Sequence, residues 1–288
     1  MPYTILVTGA NKGIGYEAVK LLSQKKPEAT ILLGSRSTKN GEDAIAKMKS
    51  AIPSHPFSNV KTLAIDITDA SSLSSAAEHI KSTYSTLDVL LHNSGISNLD
   101  GNPNHAAVFD VNVVGAKDTI ETFTPLLTPK SGIVILVGSE VGSWYTAEAN
   151  TKLAAELLDV SSVSWDKVEG WMKDWEVSAG GAEGKAKHDF IPVEQGMIGA
   201  KYCASKAIIH PWVRKYASTH PDVHVAVVCP GYCATELNNF NGPRSAEQGG
   251  ESVIWPVLNE FESGRFYQDG IEKEFKVELP DWATGIKV

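Results

Sequence analysis

Tyr3-Thr4-Ile5-Leu6-Val7-Thr8-Gly9-Ala10-Asn11-Lys12-Gly13-Ile14-Gly15 opens the chain with an apolar strand that passes straight into a glycine-rich turn and the start of a helix. Strand, turn and helix in that order form the first unit of a doubly wound sheet, and the turn is where such sheets hold a dinucleotide. The glycine spacing is G-x-x-x-G-x-G, which departs from the G-x-G-x-x-G fingerprint. The physical reasons for glycine carry over. A missing Cβ permits a tight turn and lets the backbone approach a pyrophosphate at a helix N-terminus. Such a stretch on its own is also just a turn, so residues further along the chain must decide between the two.

Downstream, short apolar runs alternate with longer segments of helical period, the pattern of a parallel sheet covered on both faces. The expected strands are Tyr3 to Thr8, Thr30 to Gly34, Val60 to Ile65, Leu87 to His92, Ile133 to Gly138 and Val223 to Cys229. Helices are expected at Gly13 to Gln24, Gly41 to Ala51, Ala70 to Thr83, His105 to Leu127 and Tyr202 to Thr219. A helix from Ala246 to Leu258 and a short strand near Arg265 to Tyr267 close the pattern. The fold class is α/β, a Rossmann-type doubly wound parallel sheet of about seven strands. The whole chain, residues 1–288, reads as a single domain. Residues 140–201 break the rhythm, because a βα connection ordinarily needs only a few residues. They form an insertion, or lid. Within it Val168, Trp171, Met172 and Trp175 share one face of a helix over Asp166 to Glu176, and Ala179 to Lys185 is a loop by composition.

Composition narrows the function classes. A net charge of −8 argues against general affinity for nucleic acid or anionic membrane, so any anionic ligand must meet a local basic site. No apolar run approaches membrane-spanning length, and Met1 to Val7 lacks the features of a secretory signal. Three cysteines, Cys203, Cys229 and Cys233, suit a reducing compartment, and the expectation is a cytosolic protein with buried free thiols. Cys229 and Cys233 have the spacing of half a metal site but no second ligand pair, so no metal is expected.

About twenty residues beyond the glycines, an NAD-binding chain carries an acidic residue for the ribose hydroxyls. Here the sequence is Gly34-Ser35-Arg36. Arg36 and Lys12 supply two positive charges where a 2′-phosphate would lie, which favours NADP(H), although both are also ordinary surface cations in type. Asp66 is placed to accept from an adenine amino group. Further along, Tyr202 and Lys206 stand four residues apart and share a helix face. An ammonium beside a phenol lowers its pKa towards neutrality and suits it to give or take a proton.

Taken together, the TGANKGIG stretch, Asn93-Ser94-Gly95 after the fourth strand, Ser139 after the fifth and Tyr202-Cys203-Ala204-Ser205-Lys206 resemble the short-chain dehydrogenase/reductase family. Pro230-Gly231 and Asn112 fall where that family's motifs occur, so the resemblance spans almost the whole length. It implies that Ser139 hydrogen-bonds a substrate carbonyl, Tyr202 is the general acid, and Lys206 lowers the tyrosine pKa and holds the nicotinamide ribose. Asn112 would position a water linking Lys206 to solvent. Cofactor contacts are implied for Thr8, Gly9, Asn11, Lys12, Gly13, Ile14, Gly15, Arg36, Asp66, Ile67, Asn93, Ser94, Gly95, Tyr202, Lys206, Pro230, Gly231 and Thr235. Within the family the chain looks most like carbonyl reductases with a long insertion before the tyrosine, for which a monomer is expected.

Departures from the family pattern are His92 and Ser94 in the HNSG stretch, and Pro211, which should kink the catalytic helix beyond Lys206. Substrate-pocket walls are expected from Ser139, Trp144, Tyr145, Met197 and Tyr202 and from the loop Tyr232 to Phe240, a largely apolar and aromatic set. That set suits a hydrophobic ketone or aldehyde, and it suits equally well aromatics that only pin the insertion. A tailoring reductase with one narrow substrate and a non-catalytic NADPH-binding sensor remain the alternatives.

Overall fold

The computed structural model describes residues 3–97 and 106–283. Runs rich in Val, Ile and Leu form eight strands: β1 (Thr4–Val7), β2 (Thr30–Ser35), β3 (Val60–Ala64), β4 (Val89–His92), β5 (Gly132–Val137), β6 (Val223–Val228), β7 (Arg265–Gln268) and β8 (Ile271–Lys273). They form one sheet in the order β3-β2-β1-β4-β5-β6-β7-β8. All neighbours are parallel except β7 and β8. The eighth strand adds to the expected seven. It returns from β7 through Asp269 and Gly270, both at positive φ, an Asp-Gly pair of the kind that closes a two-residue hairpin.

Helices cover both faces: α1 (Gly13–Lys25), α2 (Thr38–Ala51), α3 (Ala70–Tyr84), α4 (Ala107–Phe109), α5 (Gly115–Phe123), α6 (Glu140–Glu148), α7 (Thr151–Leu158), α8 (Trp165–Ser178), α9 (Lys201–Thr219) and α10 (Ala246–Leu258). Strand alternation sorts the core. Ile5, Val7, Leu33 and Leu91 face α1, α2 and α10, whereas Leu6, Leu32, Leu90 and Leu136 face α3, α5 and α9. The chain reverses its order of strand placement between β1 and β4, where a doubly wound sheet opens a crevice at its carboxyl edge.

Three expected helices differ in detail. The second starts at Thr38 because Ser37 accepts from the Asn40 amide and caps it. The long helix expected from His105 begins outside the described residues. It then runs as α4, a π turn (Asp110–Val114), α5 and a final 3-10 turn. The insertion carries α6 and α7 besides α8. Ser139, Asn150 and Ser164 cap these three helices. Trp171 and Trp175 of α8 join the same core as α9. Buried His188 lies between Asp174 of α8 at 2.7 Å and Glu156 of α7 at 3.1 Å, pinning the two helices to the loop after α8. Among the described residues no helix is long and apolar enough to cross a membrane.

Candidate active site

A cavity of about 640 Å³ opens along the carboxyl edge of β1, β2, β3 and β4. Its walls include Gly9, Asn11, Lys12, Gly13 and Ile14 of the glycine turn, Arg36 after β2, Asp66 and Ile67 after β3, Asn93, Ser94 and Gly95 after β4, and Thr235 after β6. The turn requires its glycines. Gly9 adopts φ +62°, and a Cβ on Gly15 would lie 2.7 Å from the Gly9 carbonyl oxygen. Lys12 precedes α1 without a side-chain cap, and no acidic residue stands in the first turn of that helix. Its leading N–H groups and the positive end of its dipole therefore face the cavity, a ready site for a phosphate. The donor set fits a dinucleotide, with orphan amides for a pyrophosphate and the cations Arg36 and Lys12 on the walls, Lys12 lying 3.8 Å from the Glu236 carboxylate.

Several residues expected to touch the cofactor serve the turn instead. Thr8 is fully buried, and its hydroxyl accepts from the amides of Asn93 and Ser94, both at 3.1 Å. Asn93 donates through Nδ2 to the Thr8 and Gly9 carbonyls. These bonds weld the first and fourth strand ends, so Thr8 and Gly15 shape the cavity without bordering it. Pro230 and Gly231 also stand off its walls, the latter under the Arg244 side chain. Asp66 accepts from the Thr68 amide and hydroxyl through one carboxylate oxygen, and Asp69 caps α3.

Gly95 joins the cavity to the chemical end, since a Cβ there would lie 3.3 Å from Asn112 Oδ1 and 4.0 Å from Lys206 Nζ. The Asn112 carboxamide accepts from the Ile96 amide and donates to the Ile96 carbonyl, both at 2.9 Å, and donates to Ser205 Oγ at 3.1 Å. It sits in the π turn, a distortion that often marks functional helices. Lys206 is buried, donates to the Val137 carbonyl at 2.9 Å and lies 5.7 Å from the Tyr202 ring centroid. Ser139, the N-cap of α6, is hydrogen-bonded to the Tyr202 hydroxyl. The structure thus brings Asn112, Ser139, Tyr202 and Lys206 together. Helix α9, which carries Tyr202 and Lys206, continues through Pro211 to Thr219.

Electrostatics departs from expectation at the tyrosine. Burial pushes the Tyr202 phenol above its ordinary value, with Cys203 and Cys229 adding to the rise and the Ser139 hydrogen bond opposing it. Burial also lowers Lys206 to about 8. An ammonium that is itself disfavoured by burial is a weak source of stabilisation for phenolate, so the phenol stays protonated. Below Lys206 lie His92, on the α9-facing side of β4, and His210, one turn along α9. Burial and the Lys206 charge lower each of them to about 3, so both imidazoles are neutral.

Residues 3–154 match the family described as short chain dehydrogenase. The chain belongs to that family. This short chain dehydrogenase, an oxidoreductase of a family that uses nicotinamide cofactors, is 28% identical to (+)-neomenthol dehydrogenase of Capsicum annuum across 91% of this chain and 94% of that one. It is also 28% identical to salutaridine reductase of Papaver somniferum, covering 91% of this chain and 93% of the relative. The solved salutaridine reductase from the same plant superposes with a TM-score of 0.76 at 25% identity, over 92% of this chain and 99% of that structure. NADPH-bound carbonyl reductase from chicken fatty liver shares the fold, with a TM-score of 0.62 at 20% identity over 92% of this chain and 96% of its own.

The expected substrate walls need correction in this dehydrogenase. Tyr145 is 0% exposed, and its hydroxyl accepts from the Ile191 amide at 2.9 Å. Trp144 is buried with its ring edge-to-face with Trp282. Both hold the insertion in place, because α6 turns them into the core. Met197 packs at the edge of the core, and its carbonyl accepts from the Cys203 thiol. Tyr232 and Phe240 are 48% and 65% exposed and stand outside the cavity walls. Glu236 and Leu237 of the expected loop Tyr232 to Phe240 do border the cavity, whereas sequence reading missed Ser35, Asp110 and Val111, which border it too. Each adjoins a residue already singled out, so extending each motif by one or two positions at the strand ends would have found them.

Proposed function

We propose that this short chain dehydrogenase reduces a hydrophobic ketone or aldehyde to the alcohol with NADPH. The observation that carries the reading is the Tyr202 hydroxyl, bonded to Ser139 and accompanied by the buried Lys206, which stands behind Gly95 on the wall of a cavity also lined by Arg36 and Lys12. NADPH, when bound, supplies the hydride. Ser139 and Tyr202 donate hydrogen bonds to the carbonyl oxygen as negative charge grows there, where preorganised donors contribute most. Tyr202 then passes its proton to that oxygen. A phenol kept protonated by burial suits this direction, since oxidation of an alcohol would start from phenolate. Lys206 returns a proton to the Tyr202 phenolate and would be recharged from solvent through a water that Asn112 positions. Arg36 and Lys12, with no acidic residue at the end of β2, support a 2′-phosphate over a free ribose.

The similarity to a (+)-neomenthol dehydrogenase and a salutaridine reductase supports alcohol–ketone chemistry. The exposed apolar Leu237 after β6, which borders the cavity, supports a hydrophobic substrate approaching from that side. The same reading makes the chain one cytosolic, monomeric reductase domain, with residues 140–201 as its covering segment. The test is oxidation of NADPH by a panel of cyclic, aromatic and aliphatic ketones, aldehydes and quinones, with protein whose size is measured in the same preparation. The expected outcome is turnover by a monomer that Tyr202→Phe loses while still binding NADPH. Turnover retained in that variant, or a stable tetramer, contradicts the corresponding part of the proposal.

A further inference from the structure

Lys201 stands at the first position of α9, immediately before Tyr202. A cation there faces the positive end of the helix dipole, an unfavourable place, and its side chain is buried as well. Four groups answer it. Its Nζ lies 2.5 Å from Glu176 Oε1 and donates to the Ala106 carbonyl at 3.3 Å. It also sits over the rings of Phe109 and Trp175, 4.7 and 5.4 Å from their centroids. Those two rings meet edge to face at 5.5 Å and close the cage.

The partners come from separate parts of the chain. Trp175 and Glu176 belong to α8 of the insertion, whereas Ala106 and Phe109 lead into the wall that lines the cavity through Ala107, Asp110 and Val111. One ammonium therefore joins the insertion, the cavity wall and the first turn of the catalytic helix. An apolar side chain of similar length would fill the same volume without the desolvation cost of a charge. What the charge adds is direction, because a carboxylate, a carbonyl and two ring faces restrict where an ammonium can sit.

We propose that Lys201 is a positioning residue that locks α8 and the Ala106–Phe109 wall onto the first turn of α9 and so fixes where the Tyr202 hydroxyl stands. The inference rests on Tyr202 being the proton donor proposed above. It treats the insertion as part of the catalytic geometry and gives it a charged attachment immediately before the tyrosine.

The experiment compares the parent enzyme with Lys201→Met and Glu176→Gln. It measures hydride transfer in a single turnover, NADPH affinity, and amide hydrogen exchange across residues 165–178. For Lys201→Met the expected result is a tenfold or greater fall in the transfer rate, NADPH affinity within about twofold, and faster exchange in α8. Glu176→Gln keeps the lysine and should move the rate and the exchange in the same directions, so it serves if the methionine variant does not fold. Transfer within twofold of the parent overturns the proposal, including when exchange alone rises, since that would be a purely structural contact. If the parent transfers no hydride to any carbonyl, the functional reading fails. The attachment is then judged by exchange, which must quicken in both α8 and the first turn of α9 for the proposal to stand.

Discussion

The glycine turn and the insertion both position atoms around one site, and they do so by different means. At the turn the backbone decides the arrangement: Gly9 at positive φ, Gly15 pressed against the Gly9 carbonyl, and Asn93 and Thr8 turning their side chains to main-chain groups. In the insertion, large side chains decide it, with Trp171 fully buried, Tyr145 bonded to the Ile191 amide and His188 held between two carboxylates. Backbone geometry restricts which residue can stand at a position, whereas side-chain packing accepts any set that fills the volume. The first region therefore leaves a motif in the sequence and the second leaves only a periodicity.

The seam between the two regions should show the largest effect. His92 and His210 are held neutral, with pKa values of about 3 against 6.5 for free imidazole. Above pH 6.5 neither the folded nor the unfolded state binds the extra protons, so the two histidines leave stability unchanged there. As the pH falls from 6.5 towards 3 the unfolded chain takes up two protons that the native protein refuses, and stability drops by several kcal/mol in all. Denaturant melts between pH 7 and pH 4 should show this loss, and the double variant His92→Asn with His210→Gln should flatten it. A pH dependence unchanged in the double variant would mean that other groups carry the acid sensitivity.

Within the insertion, Trp171→Ala should cost about 3–5 kcal/mol, since it empties a large buried site. Calorimetry gives the stability, and NADPH titration of the folded fraction should find affinity unchanged. A parallel fall in NADPH affinity would show that the two regions are mechanically one. At the turn the expected effect is smaller. Replacing Lys12 and Arg36 by alanine should weaken NADPH binding by about 1.5–3 kcal/mol for each charged hydrogen bond removed and leave NADH nearly untouched. Equal weakening of both cofactors would remove the argument for a 2′-phosphate.

Much of this contrast is legible in the sequence. The strands fall within a residue or two of their expected limits, because β-branched runs bounded by turn residues leave little choice, and the doubly wound arrangement follows from their alternation with helices. β8 escapes a sequence reading although Asp269-Gly270 stands directly between it and β7, since three residues with two charges among them carry no strand pattern. The π turn around Asn112 is hidden inside a continuous helical period. At the site, helical spacing pairs Tyr202 with Lys206 and the family resemblance adds Ser139, but neither reveals the state of the phenol. That state is set by burial, which spacing does not report. Trp144 and Tyr145 suggest a substrate wall because they come soon after Ser139, whereas α6 rotates both into the core.

The last hairpin has a bearing on how the molecule meets copies of itself. An exposed strand edge is a template on which a second chain can pair. Here the edge beyond β7 is taken by a strand of three residues running the opposite way, with Ile271 the only apolar side chain and Glu272 and Lys273 the others. Lys273 is drawn to Glu140 at 3.2 Å and Arg265 to Glu272 at 3.7 Å, so charge and brevity blunt that border. Because Glu140 directly follows Ser139, the device that guards this rim against edge-to-edge aggregation is anchored one residue from the hydroxyl bonded to Tyr202.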